Sequence, residues 1–374
     1  MRALRSLDAD LHFIGRGGPQ MKTIAGKQFE NWTDKSGVLG LWEVIKHYGY
    51  FRKQFRVTLS QIEENKPDAV VLIDYPGFNL RLARSVRKQL PAQKLIYYIS
   101  PQVWAWNRGR IKKMARWLDL MLCIFPFEAD LYNKSGLRAV FVGHPMIERL
   151  QARKVNIEPN FNLIGLFPGS RLREVRKIFP ILIETARELR TQKPNLRFEI
   201  AAASHELARE MEQMLDRDQH RQPRNNRGSR IPSESQDRRK LQIKIGDAPG
   251  IMQRAFAGIV ASGSATLEAA YFRLPFVLIY KVSWLTYWAG RFLVKVKHLG
   301  MPNLLAKKEV VPEFIQRRAK AQALAKAVLR LIDDAFVRKE MVSEFDTIIA
   351  QLGGSGASAR AARGVVDELE KRKS

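Results

Sequence analysis

Three segments of this 374-residue sequence combine chemically competent side chains with turn residues that would expose them. In AVVLIDYPGFN, Asp74 directly follows an apolar run. A carboxylate at a strand end is expected to be partly desolvated, which raises its pKa and lets it accept a proton from an attacking hydroxyl. Asp-x-Pro-Gly is equally a turn or helix-capping string. In LIGLFPGSRLREV, a β-type run passes through Gly169, Ser170 and Arg171 into a helix. Gly169 allows close backbone approach, helix-start N–H groups attract phosphate, and Arg171 offers a planar fork to a diphosphate. The plainer account is a βα turn with a surface arginine. In IVASGSATLEAA, Ser262, Gly263, Ser264 and Thr266 make a second donor-rich turn, and Glu268 lies four residues beyond Ser264. That spacing is off the capping box, which leaves the carboxylate to accept hydrogen bonds from a ligand such as ribose hydroxyls; solvation of a helix start would use the same residues. Two phosphate-type turns in one half of the chain favour a nucleotide, because open α/β sheets bind ligands beyond the carboxyl ends of their strands.

Aromatic residues mark a further loop. YYISPQVWAWNRGR places Ser100, Gln102, Trp104 and Trp106 after a β-type run. Indole faces there would hold a sugar or an acyl chain, or pack the loop down. In FVGHPM, His144 follows another such run, in a structural or a catalytic role. Tyr280, Trp284, Trp288 and Phe292 recur at four-residue spacing beside Lys281, Arg291, Lys295 and Lys297. This pattern suits a helix lying at a lipid headgroup layer, and also plain core packing.

To bring these residues to one edge, the elements must be parallel strands joined by helices. Ala69–Ile73, Lys94–Ile99, Leu120–Ile124 and Ala139–Val142 read as strands, with helical stretches at Phe78–Lys88 and Arg108–Arg116 between them. A second series runs through Asn162–Phe167, Leu196–Ala201, Leu241–Ile245, Gly258–Ala261 and Phe276–Tyr280. This βαβ alternation predicts an α/β protein of two Rossmann-like, doubly wound domains. We place them at residues 1–150 and 151–345, joined near residues 146–160, with a helical C-terminal tail over 346–374. Residues 217–240, RDQHRQPRNNRGSRIPSESQDRRK, have almost no apolar side chains and are expected to be a disordered surface insertion in the second domain.

The formal net charge of +27 attracts polyanions, whether nucleic acid, anionic lipid or phosphorylated substrate. Arginines without interleaved aromatic rings do not make a base-stacking surface, so no nucleic-acid partner is expected from the 217–240 segment. The single cysteine, Cys123, excludes an internal disulfide and fits a reducing cytoplasm. No His-x-x-x-His pair supports a metal centre, and no cofactor is expected. The most apolar region, 276–305, is broken by Lys281, Arg291, Lys295 and Lys297, short of the roughly 18 to 20 residues a membrane span needs.

Taken in order, IDYPGFN, SPQVWAW, FVGHPM, LFPGSRLREV, ASGSATLEAA and MPNLLA resemble the landmarks of the lipid-A-disaccharide synthases across most of the chain. The resemblance implies a GT-B fold, with two Rossmann-like domains facing a central cleft. It implies an inverting, metal-independent transfer of 2,3-diacylglucosamine from its UDP form to 2,3-diacylglucosamine 1-phosphate. It also implies peripheral attachment to an anionic membrane surface, on the cytoplasmic face of the inner membrane. A homodimer is a possible assembly. Carried over, Asp74 is the general base, and Gly169, Ser170, Arg171, Ser262, Gly263, Ser264, Thr266, Glu268 and Asn303 form the UDP side. Asn303 is assigned by the resemblance. Asn79, Ser100, Gln102, Trp104, Trp106 and His144 form the acceptor side, in the first domain. Family members open with a strand and a Gly-Glu-x-Ser-Gly-Asp loop, whereas this sequence begins at MRALRSLD, inside the following helix. Lacking a first, central strand would leave two neighbouring strand edges open and remove a loop at the site mouth. The rival readings are another GT-B UDP-sugar transferase of envelope biosynthesis, a basic nucleic-acid-binding protein, and a relative that binds without turnover.

Overall fold

A computed structural model describes residues 1–32, 48–106, 109–220, 241–282 and 298–371. The chain divides into two compact units, one of residues 1–145 with 352–374 and one of residues 146–351. The first boundary falls before the helix Met146–Gln151, five residues ahead of the expected domain end at 150. The last segment is not a tail: its helix returns to the first unit.

In the first unit, β1 (Gly15–Gly17) and β2 (Phe29–Asn31) pair in parallel. A separate four-stranded parallel sheet runs in chain order, β3 (Ala69–Ile73), β4 (Lys94–Tyr98), β5 (Leu120–Cys123) and β6 (Ala139–Phe141). The strand LMLC is buried throughout, as a parallel strand covered on both faces should be. One face packs Leu82, Val86, Leu95, Tyr97, Met114 and Tyr132. The other packs Ile96, Leu120, Leu122 and Val142 against Ala361 and Val365 of the C-terminal helix Ala357–Glu370. Arg360 from that helix donates to the carbonyls of Val142, Gly354 and Ser355. Glu368 pairs with Lys94 at 3.2 Å and with Arg138. Gly143, at φ +88°, lets this arginine lie against the backbone: a Cβ there would meet Nη2 of Arg360 at 2.5 Å.

Among the described strands, β1 pairs only with β2 and β3 only with β4. Between them lies a cavity of about 900 Å³, lined by Gly15, Arg16, all of β3, Phe29, Ile62 and Val365.

The second unit holds a six-stranded parallel sheet. Its strands are β7 (Asn160–Phe167), β8 (Arg197–Ala202), β9 (Leu241–Ile245), β10 (Ala255–Ala261), β11 (Phe276–Tyr280) and β12 (Glu313–Ile315), in spatial order β12-β11-β10-β7-β8-β9. From β7 the chain first adds strands on one side and then resumes at β10 on the other. The switch point is thus the β7–β10 pair, where a doubly wound sheet opens a crevice at its carboxyl edge. Residues 217–220 complete the helix His205–His220, while 221–240 of the expected insertion lie outside the described residues. So do residues 283–297, which carry Trp284, Trp288, Phe292, Arg291, Lys295 and Lys297 of the aromatic and basic pattern.

Candidate active site

The two phosphate-type turns of the second unit leave adjacent strands. The turn at 168–171 follows β7, and that at 262–264 follows β10, so both stand at the switch point. Gly169 takes φ +112°, and a Cβ there would meet Oε2 of Glu174 at 2.7 Å. The turn needs glycine for conformation and for space. Arg171 begins the 21-residue helix Leu172–Gln192 as its N-cap. Its guanidinium is 61% exposed and holds Glu174 at 3.1 Å, so it stands at a helix N-terminus with most of its surface open to a ligand. Ser170 is exposed beside it. Tyr280, at the end of β11, lies in the field of both Arg171 and Glu174, and burial pushes its phenol upward.

In the second turn, Gly263 takes φ +144° with open space at its Cβ position, and Ser264 is exposed. The Ser262 hydroxyl leans towards the carbonyl of Leu299 at 3.4 Å. Three side chains here differ from expectation. Thr266 is fully buried and donates to the Gly263 carbonyl at 2.7 Å, so it fixes the turn from within. The Glu268 carboxylate accepts a hydrogen bond from Arg149 at 2.5 Å; the expected free acceptor is an ion pair. Asn303 is fully buried and its amide is saturated. It donates to the Val311 carbonyl at 2.8 Å and Glu313 Oε1 at 2.9 Å, and accepts from the amides of Val310 and Val311 at 2.8 Å. In this arrangement Asn303 fastens the segment leading into β12 instead of presenting its amide to a ligand.

In the first unit, the turns after β3, β4, β5 and β6 share the carboxyl edge of one sheet. Asp74 follows β3 with φ +47° and Tyr75 follows with φ +46°, two successive left-handed residues that are not glycine. Such backbone persists only where neighbours hold it. The holders are the Asp74 amide, bonded to the Tyr98 carbonyl at 2.9 Å, and Asn79, whose amide donates to the carbonyls of Ile73 at 3.1 Å and Asp74 at 2.8 Å. Asn79 thus braces the base turn. Asp74 itself is exposed, which corrects the expectation of partial desolvation: the open side of β3 and the adjoining cavity leave this end of the strand uncovered.

After β4, Ser100 is buried, Gln102 is exposed and Trp104 is half-buried. The indole of Trp104 donates to Glu128 at 2.9 Å and meets the edge of Phe127 at a centroid distance of 5.0 Å. The Trp106 side chain lies outside the described residues. His144 is half-buried, with its ring 5.4 Å from that of Phe125 and its amide bonded to the Leu352 carbonyl at 2.9 Å.

Four contributors escaped the sequence reading. Glu174 and Glu128 had local signals: the first stands three residues after Arg171, the second at the third position of a helix opened by Pro126. Arg149 had none, being 119 residues from Glu268. Tyr97 read as an ordinary strand aromatic, yet its fully buried hydroxyl reaches the Asp74 carbonyl.

The sequence profile of the lipid-A-disaccharide synthetase family matches residues 1–362. The chain belongs to this family. A lipid-A-disaccharide synthase of Geobacter sulfurreducens is 36% identical over 378 aligned positions, covering 99% of this chain and 92% of the relative. One from Coxiella burnetii is 32% identical over 97% of this chain and 92% of its own length. Among solved structures, a Staphylococcus aureus MnaA–UDP complex covers 99% of this chain and 92% of its own at a TM-score of 0.59 and 14% identity. A Neisseria meningitidis UDP-GlcNAc 2-epimerase bound to UDP-GlcNAc covers 96% and 98% at 0.56 and 11%. At such identities the likeness concerns the fold alone, and the fold is GT-B-like α/β. This member of the family is a glycosyltransferase of lipid A synthesis. No described helix is long and apolar enough to cross a membrane.

Proposed function

We propose that the chain transfers 2,3-diacylglucosamine from UDP-2,3-diacylglucosamine to 2,3-diacylglucosamine 1-phosphate, with inversion and without a metal, giving the disaccharide 1-phosphate. The observation that carries the reading is the pair of phosphate-type turns, at Gly169–Arg171 and Ser262–Ser264, leaving neighbouring strands at the switch point of the second unit. There the helix N-terminus and the Arg171 fork would take the diphosphate. These contacts strengthen as the glycosidic C–O bond breaks and charge moves onto the departing UDP. The Arg149–Glu268 pair borders the same place, where its carboxylate suits ribose hydroxyls. Asn303 supports this side from behind through the Val310–Glu313 backbone.

On the first unit, Asp74 takes the proton of the acceptor hydroxyl as its oxygen bonds to the anomeric carbon. That carbon carries oxocarbenium-like charge in the transition state, by analogy with glycoside hydrolysis. Gln102, Trp104 and His144, from neighbouring turns of the same sheet edge, flank the acceptor. The acylated substrates and the net charge of +27 support attachment to an anionic membrane surface, which we take to be the cytoplasmic face of the inner membrane.

The test is UDP release from UDP-2,3-diacylglucosamine with and without the monosaccharide 1-phosphate. Release that requires the acceptor is expected. Release indifferent to the acceptor, or UDP binding with no release, would overturn the substrate assignment and turn attention to other UDP-sugars.

A further inference from the structure

Among the described residues, Glu128 is the one carboxylate with no exposed surface. The two next most buried, Glu368 and Glu313, are matched respectively by the cations Lys94 and Arg138 and by a nest of amides at Leu299, Gly300 and Asn303. Glu128 is met by neutral donors, the Trp104 indole at 2.9 Å and the Phe125 amide at 3.3 Å. Burial pushes its carboxyl up to about 7 against the pull of these donors. A glutamate three residues past a helix N-cap commonly bonds back to the N-cap amide, which accounts for the contact with Phe125. That job is done as well on the surface, and it does not require the carboxylate to be sealed in or to reach a tryptophan on another loop.

The helix that carries Glu128, Pro126–Asn133, grips the loop after β4 twice. Glu128 holds Trp104. One turn further along the same face, the buried Tyr132 donates its hydroxyl to the Pro101 carbonyl at 3.1 Å. The two grips bracket Gln102, which is exposed, and the Trp104 ring is steadied edge-on by Phe127. The loop leaves β4 through Ile99 in a left-handed conformation, φ +66°, with the Ile99 amide bonded to the Leu122 carbonyl at 3.1 Å and Val103 buried in the core. We infer that Glu128 is a positioning residue for the acceptor: by fixing the Trp104 indole it sets how that ring and Gln102 meet the sugar or acyl part of the acceptor.

This rests on the proposal that the loop belongs to the acceptor side, and the experiment separates the two. UDP release is measured with full-length protein while donor and acceptor are varied in turn, for the wild type, Glu128→Gln, Trp104→Phe and the double variant. Glu128→Gln keeps the volume but turns one of its two oxygens, each of which accepts an N–H, into an NH2 that can only donate; Trp104→Phe keeps a ring and loses the N–H, so it tests the contact even if the buried substitution disturbs folding. The expected result is a rise of about tenfold in acceptor KM for each single variant, a donor KM within twofold of wild type, and a double variant no worse than either single. Unchanged acceptor KM in both singles, or equal rises for both substrates, or additive losses, would overturn the inference while leaving the assigned reaction standing. Absence of acceptor-dependent release by the wild type would overturn both.

Discussion

The buried hydroxyl of Tyr97 donates to the main-chain carbonyl of Asp74 at 2.5 Å, so a strand residue of β4 holds the backbone of the proposed base on β3. Tyr97→Phe removes this bond and leaves the carbonyl on Asn79 alone. Turnover is expected to fall about tenfold with donor KM unchanged, and stability by roughly 1 kcal/mol. Steady-state kinetics and thermal melts check both. A drop in stability without a drop in turnover would mean the bond is structural only.

Asp74→Asn should lower turnover by about two to four orders of magnitude, the usual contribution of a positioned general base. UDP affinity should stay within twofold, because every proposed UDP contact lies on the other unit. Calorimetric UDP titration beside the turnover assay reads the two effects separately. Wild-type turnover would remove Asp74 from the mechanism.

Gly169→Ala meets two obstacles, a φ of +112° and a clash with Glu174. Weaker UDP binding, by at least tenfold, is expected, with a conformational cost of roughly 1 to 3 kcal/mol. Adding Glu174→Ala should remove the carboxylate contact at 2.7 Å and leave the backbone cost and a tight Cβ contact at 3.0 Å. Full recovery in the double variant would show that only the clash mattered.

Arg149→Ala frees the Glu268 carboxylate. The pair is 57% exposed on the arginine side, so its effect on stability should be below about 1 kcal/mol. A severalfold rise in donor KM with an unchanged melting temperature is the expected pattern; an unchanged donor KM would place the pair outside the nucleotide site.

Glu128 gives stability a pH dependence. Its carboxyl rises from an ordinary 4.5 to about 7 in the fold, so between these values the folded chain keeps a proton that the unfolded chain has lost. Stability from this group is greatest below the unfolded value and falls as pH rises towards 7, by roughly 3 kcal/mol at most. Glu128→Gln cannot ionise. Its melting temperature relative to wild type should therefore be higher at pH 8 than at pH 5, and a constant difference would contradict the assignment.

The sequence by itself determined the strands and turns. β11 lies where its apolar run ends, because a parallel strand covered on both faces must be apolar throughout and its turn must not be, while the edge strands β3 and β9, with exposed positions, are marked by their flanking turns. Gly169 and Arg171 were legible for the same reason: turn chemistry is local, and a glycine followed by a helix start announces itself. The three-residue strands β1, β2 and β12 were not, since GRG, FEN and EFI are too short to show a period. Tertiary structure decided which polar groups are spent. Asn303, Thr266 and Glu268 have residue types suited to a ligand, but hydrogen bonds occupy them: Thr266 and Asn303 bond groups within ten residues of themselves, and Glu268 bonds Arg149, 119 residues away. Tertiary structure also made Glu128 and Tyr97 matter, by burying polar groups beside loops 24 and 23 residues away in sequence. It returned the last helix to the first sheet through Arg360 and Gly143, 217 positions apart by number. Residue type records what a side chain is able to do; burial and partner choice depend on distant segments meeting, and that is set by packing rather than by local sequence.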